Sequence, residues 1–213
     1  KLSFGTNKTA DILVTAIDKN LIFLFKETNE SINIKLPVAG SHNQMNAAAA
    51  AAAALANGFS METIKLGLEA FKPEPMRMQI FKTEELTIIF DAYNANPESM
   101  KTAINCLKLD YSPPYYLVLG DMKELGKDAW KYHAQLGQLL AENKFDFIFL
   151  AGDEMKTTYE TALQYNPAVK IKYSGNDLSW LTDVQNIFKT KQGTMLIKAS
   201  RAMNFEKIIE NIK

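Results

Sequence analysis

The sequence predicts an α/β protein: a Rossmann-like, mostly parallel sheet with helices on both faces, preceded by a β-meander and a pair of helices. Three observations predict it. From Leu86 onward, short apolar runs alternate with helical stretches, the pattern of strands joined by helical crossovers. Before Lys72 the order differs, with strands in succession and then helices. Between the two lies Lys72-Pro73-Glu74-Pro75, a stiff proline linker that predicts a domain boundary, giving units 1–74 and 75–213.

In chain order, Asp11–Ile17, Leu21–Lys26 and Ser31–Leu36 read as strands. Asp18-Lys19-Asn20 and Thr28-Asn29-Glu30 are the turns of an antiparallel meander. The preceding Gly5-Thr6-Asn7-Lys8-Thr9 has the composition of a phosphate loop but not its context. Two residues separate Gly5 from Lys8, no apolar strand leads in, and a strand rather than a helix follows. Too few backbone N–H groups can converge there on a phosphate, and the stretch reads as a polar surface turn.

A helix is predicted from about Gln44 to Ala56, stopped by Asn57-Gly58. Its alanine block lets it lie close against a sheet or another helix. A second helix is capped by Ser60, carries Glu62 in its first turn and ends near Phe71. After the linker come strand Leu86–Asp91 and helix Pro97–Leu107, with Asn96 as N-cap and Pro97 in first position. Strand Tyr115–Leu119 and helix Ala129–Glu142 follow, then strand Phe145–Leu150 and helix Glu154–Gln164. Strand Val169–Tyr173, helix Asp177–Lys189, strand Thr194–Lys198 and a final helix Ala202–Ile212 complete the prediction.

Composition narrows the class of partner. The chain of 213 residues is 47% hydrophobic and 23% charged, ordinary for a globular protein. The formal net charge of zero predicts no broad attraction to nucleic acid or an anionic membrane. The longest apolar run, Ala47–Ala56, is too short to span a bilayer, and no signal peptide is read. Cys106 stands alone, so no disulfide framework is expected and a reducing cytoplasm is. A monomer without nucleic-acid or membrane partners is the expectation. Among 24 basic residues the only arginines are Arg77 and Arg201, which marks them as candidates for bidentate recognition.

Ligands of open parallel sheets collect at the carboxyl ends of the strands. Those ends carry Asp91-Ala92-Tyr93-Asn94-Ala95-Asn96, Gly120-Asp121-Met122-Lys123-Glu124, Gly152-Asp153 and Lys198-Ala199-Ser200-Arg201. Asn94 and Asn96 offer donors and acceptors suited to an amide or zwitterionic ligand, although Asn, Asp and Pro also simply favour turns. Arg77, just past the linker, suits a phosphate or ribose, or a salt bridge across the hinge. His42 and Asn43 stand just before the first helix with Asn46 a turn further in; they suit an adenine edge or a helix cap. Glu124 lies in what also reads as an ordinary strand-to-helix loop. His133 reads as a satisfied helix histidine. No zinc-ligand spacing, Gly-x-Ser-x-Gly elbow or kinase signature is present.

Taken together, Gly40-Ser41-His42-Asn43-Gln44-Met45-Asn46 before the Ala-rich helix, Arg77 after the linker, Asp91 to Pro97, Gly120 to Gly126, His133 with Gly137, and Lys198 to Arg201 resemble the Mur ligase family in order and spacing. The Tyr-Asn-Ala-Asn-Pro element, Tyr93–Pro97, points to the branch that adds D-alanyl-D-alanine. Ala199 departs from the glycine usual in the family. The resemblance implies that residues 1–74 are the end of a central ATPase domain and 75–213 the C-terminal Rossmann-like domain. The phosphate loop, the sugar-binding part and most Mg2+ ligands would lie upstream of Lys1.

The reaction so implied is ATP-dependent amide formation in cytoplasmic peptidoglycan precursor synthesis. A carboxylate of UDP-N-acetylmuramoyl-tripeptide becomes an acyl phosphate, which the amine of D-alanyl-D-alanine attacks. ATP and Mg2+ are the implied cofactors, with no metal ligand and no catalytic side chain assigned within this stretch. By matching position, His42, Asn43 and Asn46 fall on the adenine side, and Arg77 and Asp91 on the ribose-phosphate side. Tyr93, Asn94, Asn96, Ser200 and Arg201 fall nearer the dipeptide. Two other readings remain at this point: a non-catalytic Rossmann-like module that binds a nucleotide or partner, and another Mur-type ligase such as a folylpolyglutamate synthase relative.

Overall fold

A computed structural model describes residues 2–17, 20–38, 41–72 and 74–210. The chain divides into two compact units, 1–74 and 75–213.

The first unit contains a four-stranded sheet in the order β1 (Phe4–Gly5), β2 (Ile12–Ile17), β3 (Asn20–Phe25), β4 (Glu30–Ile34). The predicted meander is present: β2 pairs antiparallel with β3, and β3 with β4. Of the predicted turn residues, Asp18 and Lys19 lie outside the described residues. β1 was not foreseen. It is only two residues long and pairs parallel with β2, and nothing so short carries a period-2 signal. Thr6–Thr9 form the polar turn that follows it, closed by Asn7, whose Oδ1 accepts from Thr9 N–H at 3.0 Å.

Helix α1 (Ser41–Ala56) starts three residues before the predicted point, so His42 and Asn43 are inside its first turn rather than ahead of it. Ala47, Ala48, Ala51 and Ala52 pack with Ile12, Val14, Phe23, Phe25 and Ile34 in one buried cluster. With only a methyl group at each contact, the helix backbone approaches the sheet closely. α2 (Met61–Glu69) is capped by Ser60, whose side chain accepts from Thr63 N–H at 3.2 Å.

The second unit is built on a six-stranded sheet. Its strands are β5 (Gln79–Lys82), β6 (Leu86–Asp91), β7 (Tyr115–Gly120), β8 (Phe147–Ala151), β9 (Ile171–Ser174) and β10 (Gly193–Lys198), in the spatial order β5-β6-β10-β7-β8-β9. β6, β10, β7, β8 and β9 run parallel. β5 is antiparallel to β6, so the sheet is mixed at one edge. The sequence did not show β5, because four residues after a proline linker offer too short a pattern to separate from loop.

Helices α3 (Pro97–Asp110), α4 (Ala129–Glu142) and α5 (Met155–Tyr165) cover one face, and α6 (Leu181–Thr190) and α7 (Glu206–Ile209) the other. The final helix predicted over 202–212 is broken. A 3₁₀ turn, Arg201–Met203, ends at Asn204 with φ 51, and only Glu206–Ile209 is α-helical among the described residues. Asn tolerates the left-handed conformation that ends the turn. α6 likewise starts later than predicted, after a turn in which Asp177 Oδ1 accepts from Ser179 N–H at 3.0 Å and Leu178 has φ 51.

This topology creates the site. β10 comes last in sequence, yet it inserts between β6 and β7, and its connection leaves toward the opposite face from theirs. A crevice therefore opens at the carboxyl ends on each side of β10.

Candidate functional site

The crevice between β6 and β10 is organised by a buried lysine. Register places Lys198 opposite Asp91. Lys198 is 1% exposed, and its ammonium donates to Asp91 Oδ2 at 2.6 Å and to the Asn94 carbonyl at 2.9 Å. Asp91 keeps 16% of its side chain open. Its Oδ1 accepts from the backbone N–H of Met78 at 3.2 Å. Tyr93 N–H donates to the Met76 carbonyl at 3.1 Å, tying the segment before β5 to the loop after β6. Arg77 is exposed, with its guanidinium carbon 4.0 Å from the centre of the Tyr93 ring.

The crevice between β10 and β7 has its own lysine and carboxylate. Asp121 is fully buried and accepts from Met155 N–H, at the start of α5, at 2.9 Å. A carboxylate is favoured at a helix N-terminus, where free N–H groups and the helix dipole both point at it. Its other oxygen is 2.7 Å from Lys123 Nζ. That hydrogen bond is the main cause raising the Lys123 pKa; burial opposes it, and the charges of Asp121, Glu154 and Asp153 add to it. Gly152, φ 114, passes so close to Asp121 that a Cβ there would lie 2.3 Å from the carboxyl carbon.

Ser200 joins the two crevices. Its Oγ accepts from Lys123 N–H at 2.9 Å and donates to the Ala95 carbonyl at 3.4 Å, and its own N–H donates to the Asp121 carbonyl at 3.1 Å. His133 supports the same loop from beneath. Its Nε2 accepts from Met122 N–H at 3.2 Å, which leaves the ring proton on Nδ1 to donate to the Ala129 carbonyl at 2.9 Å. The substituted Ala199 fits because Gly120 faces it; a Cβ on Gly120 would stand 2.8 Å from that of Ala199.

Arg77, Asp91, Tyr93, Asn94, Asn96, Ser200 and Arg201 thus all lie in the second unit, on strand ends or the loops beside them. Their side chains differ in what they leave open. Asn94 Oδ1 accepts from Ala95 N–H at 2.8 Å, and Arg201 pairs with Glu206 while 53% exposed. Asn96 forms a capping box with Ser99: its Oδ1 accepts from Ser99 N–H at 2.8 Å. Asn43 and Asn46 are in the first turns of α1, in the other unit; the side chain of His42, and all of Gly40, lie outside the described residues.

Sequence reasoning left Lys198, Asp121 and Lys123 without roles. The signal for Lys198 was present, since a lysine closes an otherwise apolar strand, Thr194-Met-Leu-Ile-Lys198. Its partner could not be read until β10 was known to lie beside β6.

A family model for the Mur ligase glutamate ligase domain matches residues 76–201. The chain belongs to the Mur ligase family. The UDP-N-acetylmuramoyl-tripeptide–D-alanyl-D-alanine ligase of Bacillus subtilis is 36% identical over 179 residues, covering 83% of this chain and 39% of that protein. A crystal structure of MurF from Acinetobacter baumannii superposes with a TM-score of 0.82 at 31% identity, covering 99% of this chain and 46% of that one. The MurF ligase of Thermotoga maritima, solved in complex with ADP, gives a TM-score of 0.74 at 25% identity over 99% of this chain and 48% of that one. The chain therefore spans less than half the length of these Mur ligases. Among its described residues, no helix is long and apolar enough to cross a membrane.

Proposed function

We propose that this chain forms the nucleotide- and acceptor-facing part of a cytoplasmic, monomeric ATP-dependent ligase that joins D-alanyl-D-alanine to UDP-N-acetylmuramoyl-tripeptide. In this reading 1–74 ends a central ATPase domain and 75–213 is the C-terminal domain. The observation that carries it is the 36% identity to a ligase of that name, over 83% of the chain.

The rim chemistry suits the reaction. Asp91 keeps one edge of a carboxylate open and can accept from ribose hydroxyls. The Arg77 guanidinium, held flat on Tyr93, offers paired donors to phosphate oxygens. The half-open Lys123, Asn94 and Arg201 side chains offer donors on the acceptor side, where the dipeptide brings a carboxylate and an amide. Asn96 and Ser200 act there by holding the loops rather than by touching the dipeptide. His42, Asn43 and Asn46 are assigned to the adenine side. Mg2+ would lower the charge of the transferring phosphoryl group. Its protein ligands are assigned mostly elsewhere in the protein, as the resemblance to the Mur ligases implies.

The test uses the whole protein. With ATP, the UDP-linked tripeptide and D-alanyl-D-alanine it should form the pentapeptide and ADP; activity only with a folate and glutamate would favour the folylpolyglutamate branch. Thermal stabilisation by ATP without any ligation would favour a binding module. Asn94→Leu should still give an acyl phosphate, trapped by borohydride reduction, while coupling slows about tenfold, the effect of one lost directed hydrogen bond. Loss of the acyl phosphate itself would move Asn94 to the nucleotide side.

A further inference from the structure

Lys198 carries a charge where charges are rare, at the end of a central strand and 1% exposed. Among the described residues, its ammonium donates to the loop edge of β6: to Asp91 Oδ2 at 2.6 Å and to the Asn94 carbonyl at 2.9 Å. Asp91 passes the restraint on, because its Oδ1 accepts from Met78 N–H at 3.2 Å. Met76 and Met78 both hold left-handed backbone, φ 65 and φ 48. Unbranched, non-glycine residues adopt that region only where surrounding structure imposes it. Arg77 lies between them, and its guanidinium is laid over Tyr93, the residue before the carbonyl that Lys198 holds.

We propose that Lys198 is a positioning residue for nucleotide binding: by clamping Asp91 and the Asn94 carbonyl, it holds the strained Met76–Met78 turn and so fixes where Arg77 points. The proposal rests on the reading of this crevice as the nucleotide side. Its physical basis is preorganisation. A turn with two left-handed residues relaxes when its anchor is lost. A ligand must then restore the competent shape, and apparent affinity is scaled down to the fraction of molecules that still hold it. An ion pair that merely holds the sheet together would lower the melting temperature and leave ATP affinity alone.

In the whole protein, Lys198→Met should raise the KM for ATP about tenfold or more, a competent fraction of about one in ten. The KM for D-alanyl-D-alanine at saturating ATP should change less than that for ATP, because Lys123 and Arg201 are not part of the clamp and Asn94 is held by it through its backbone carbonyl. Combined with Arg77→Ala, it should give clearly less than the product of the two single effects, since both changes act in part through one guanidinium. An unchanged ATP KM, or fully multiplicative effects in the double variant, would overturn the inference. If Lys198→Met does not accumulate folded, Gln79→Ala provides the second measurement. Gln79 Oε1 accepts from Met76 N–H at 3.2 Å and anchors the same turn without a buried charge. It should raise the ATP KM about threefold, and no change would count against the clamp. A wild-type protein that consumes no ATP would remove the underlying functional reading. One that ligates, with variants of unaltered ATP KM, would remove this inference alone.

Discussion

The two crevices beside β10 each hold one lysine and one aspartate at nearly the same separation, 2.6 Å for Lys198–Asp91 and 2.7 Å for Lys123–Asp121. They are inverted in burial. At the first the lysine is 1% exposed and the carboxylate 16%; at the second the carboxylate is 0% exposed and the lysine 39%. The same ion pair therefore presents an acceptor on one side of β10 and a donor on the other. A ligand rich in hydroxyl donors suits the first, and one with a carboxylate suits the second. Charge counting over the loops misses this, because both pairs sum to zero.

The difference can be broken most sharply at Gly152. Replacing it with alanine puts a Cβ 2.3 Å from the Asp121 carboxyl carbon, at φ 114. Backbone strain and overpacking together should cost about 2–6 kcal/mol, measured by chemical denaturation of the whole protein. A loss below about 1 kcal/mol would mean that Asp121 is not held where the second crevice needs it.

Next in size is a direct contrast of the two lysines. Lys198→Met leaves a largely enclosed carboxylate and a carbonyl without their cation and should cost about 2–4 kcal/mol. Lys123→Met takes the cation from a carboxylate that is 0% exposed, leaves Asp121 with its Met155 N–H, and should cost at least as much, about 3–5 kcal/mol. A cost below about 1 kcal/mol for Lys123→Met in urea melts would show that burial of the carboxylate does not set the strength of the pair.

Asn96→Ala sharpens the limits of the acceptor side. Removal of the capping box should cost about 1 kcal/mol of stability with KM values for ATP and dipeptide unchanged. A raised dipeptide KM at constant stability would return Asn96 to the acceptor site.

The smallest effect is a pH dependence confined to the second crevice. The Lys123 pKa is raised above its ordinary 10.5, chiefly by the Asp121 hydrogen bond. A raised lysine contributes stability that is complete below the unfolded value and lost as pH rises through the folded one. Stability measured from about pH 9 to about pH 11.5 should fall less steeply for Lys123→Met than for wild type. Identical slopes would mean that the pair is fully screened by solvent.

The sequence by itself determined most elements, because periodicity and end signals are local. The strand runs Leu86–Asp91 and Thr194–Lys198, the Asn96-Pro97 helix start and the Ser60 cap could each be read from a few neighbouring residues. It also placed the charged and amide residues on one rim, since parallel strands with helical crossovers bring all their carboxyl ends together. Short or strained pieces escaped it: β1, β5, and the break at Asn204 that ends the 3₁₀ turn. Only the tertiary structure decided which rim residues meet. Lys198 and Asp91 are 107 residues apart, and their pairing exists because β10 inserts between β6 and β7. Burial followed from the same step. Whether a lysine or its aspartate faces water depends on which chain segments pack above it, and that is decided only when the sheet is assembled.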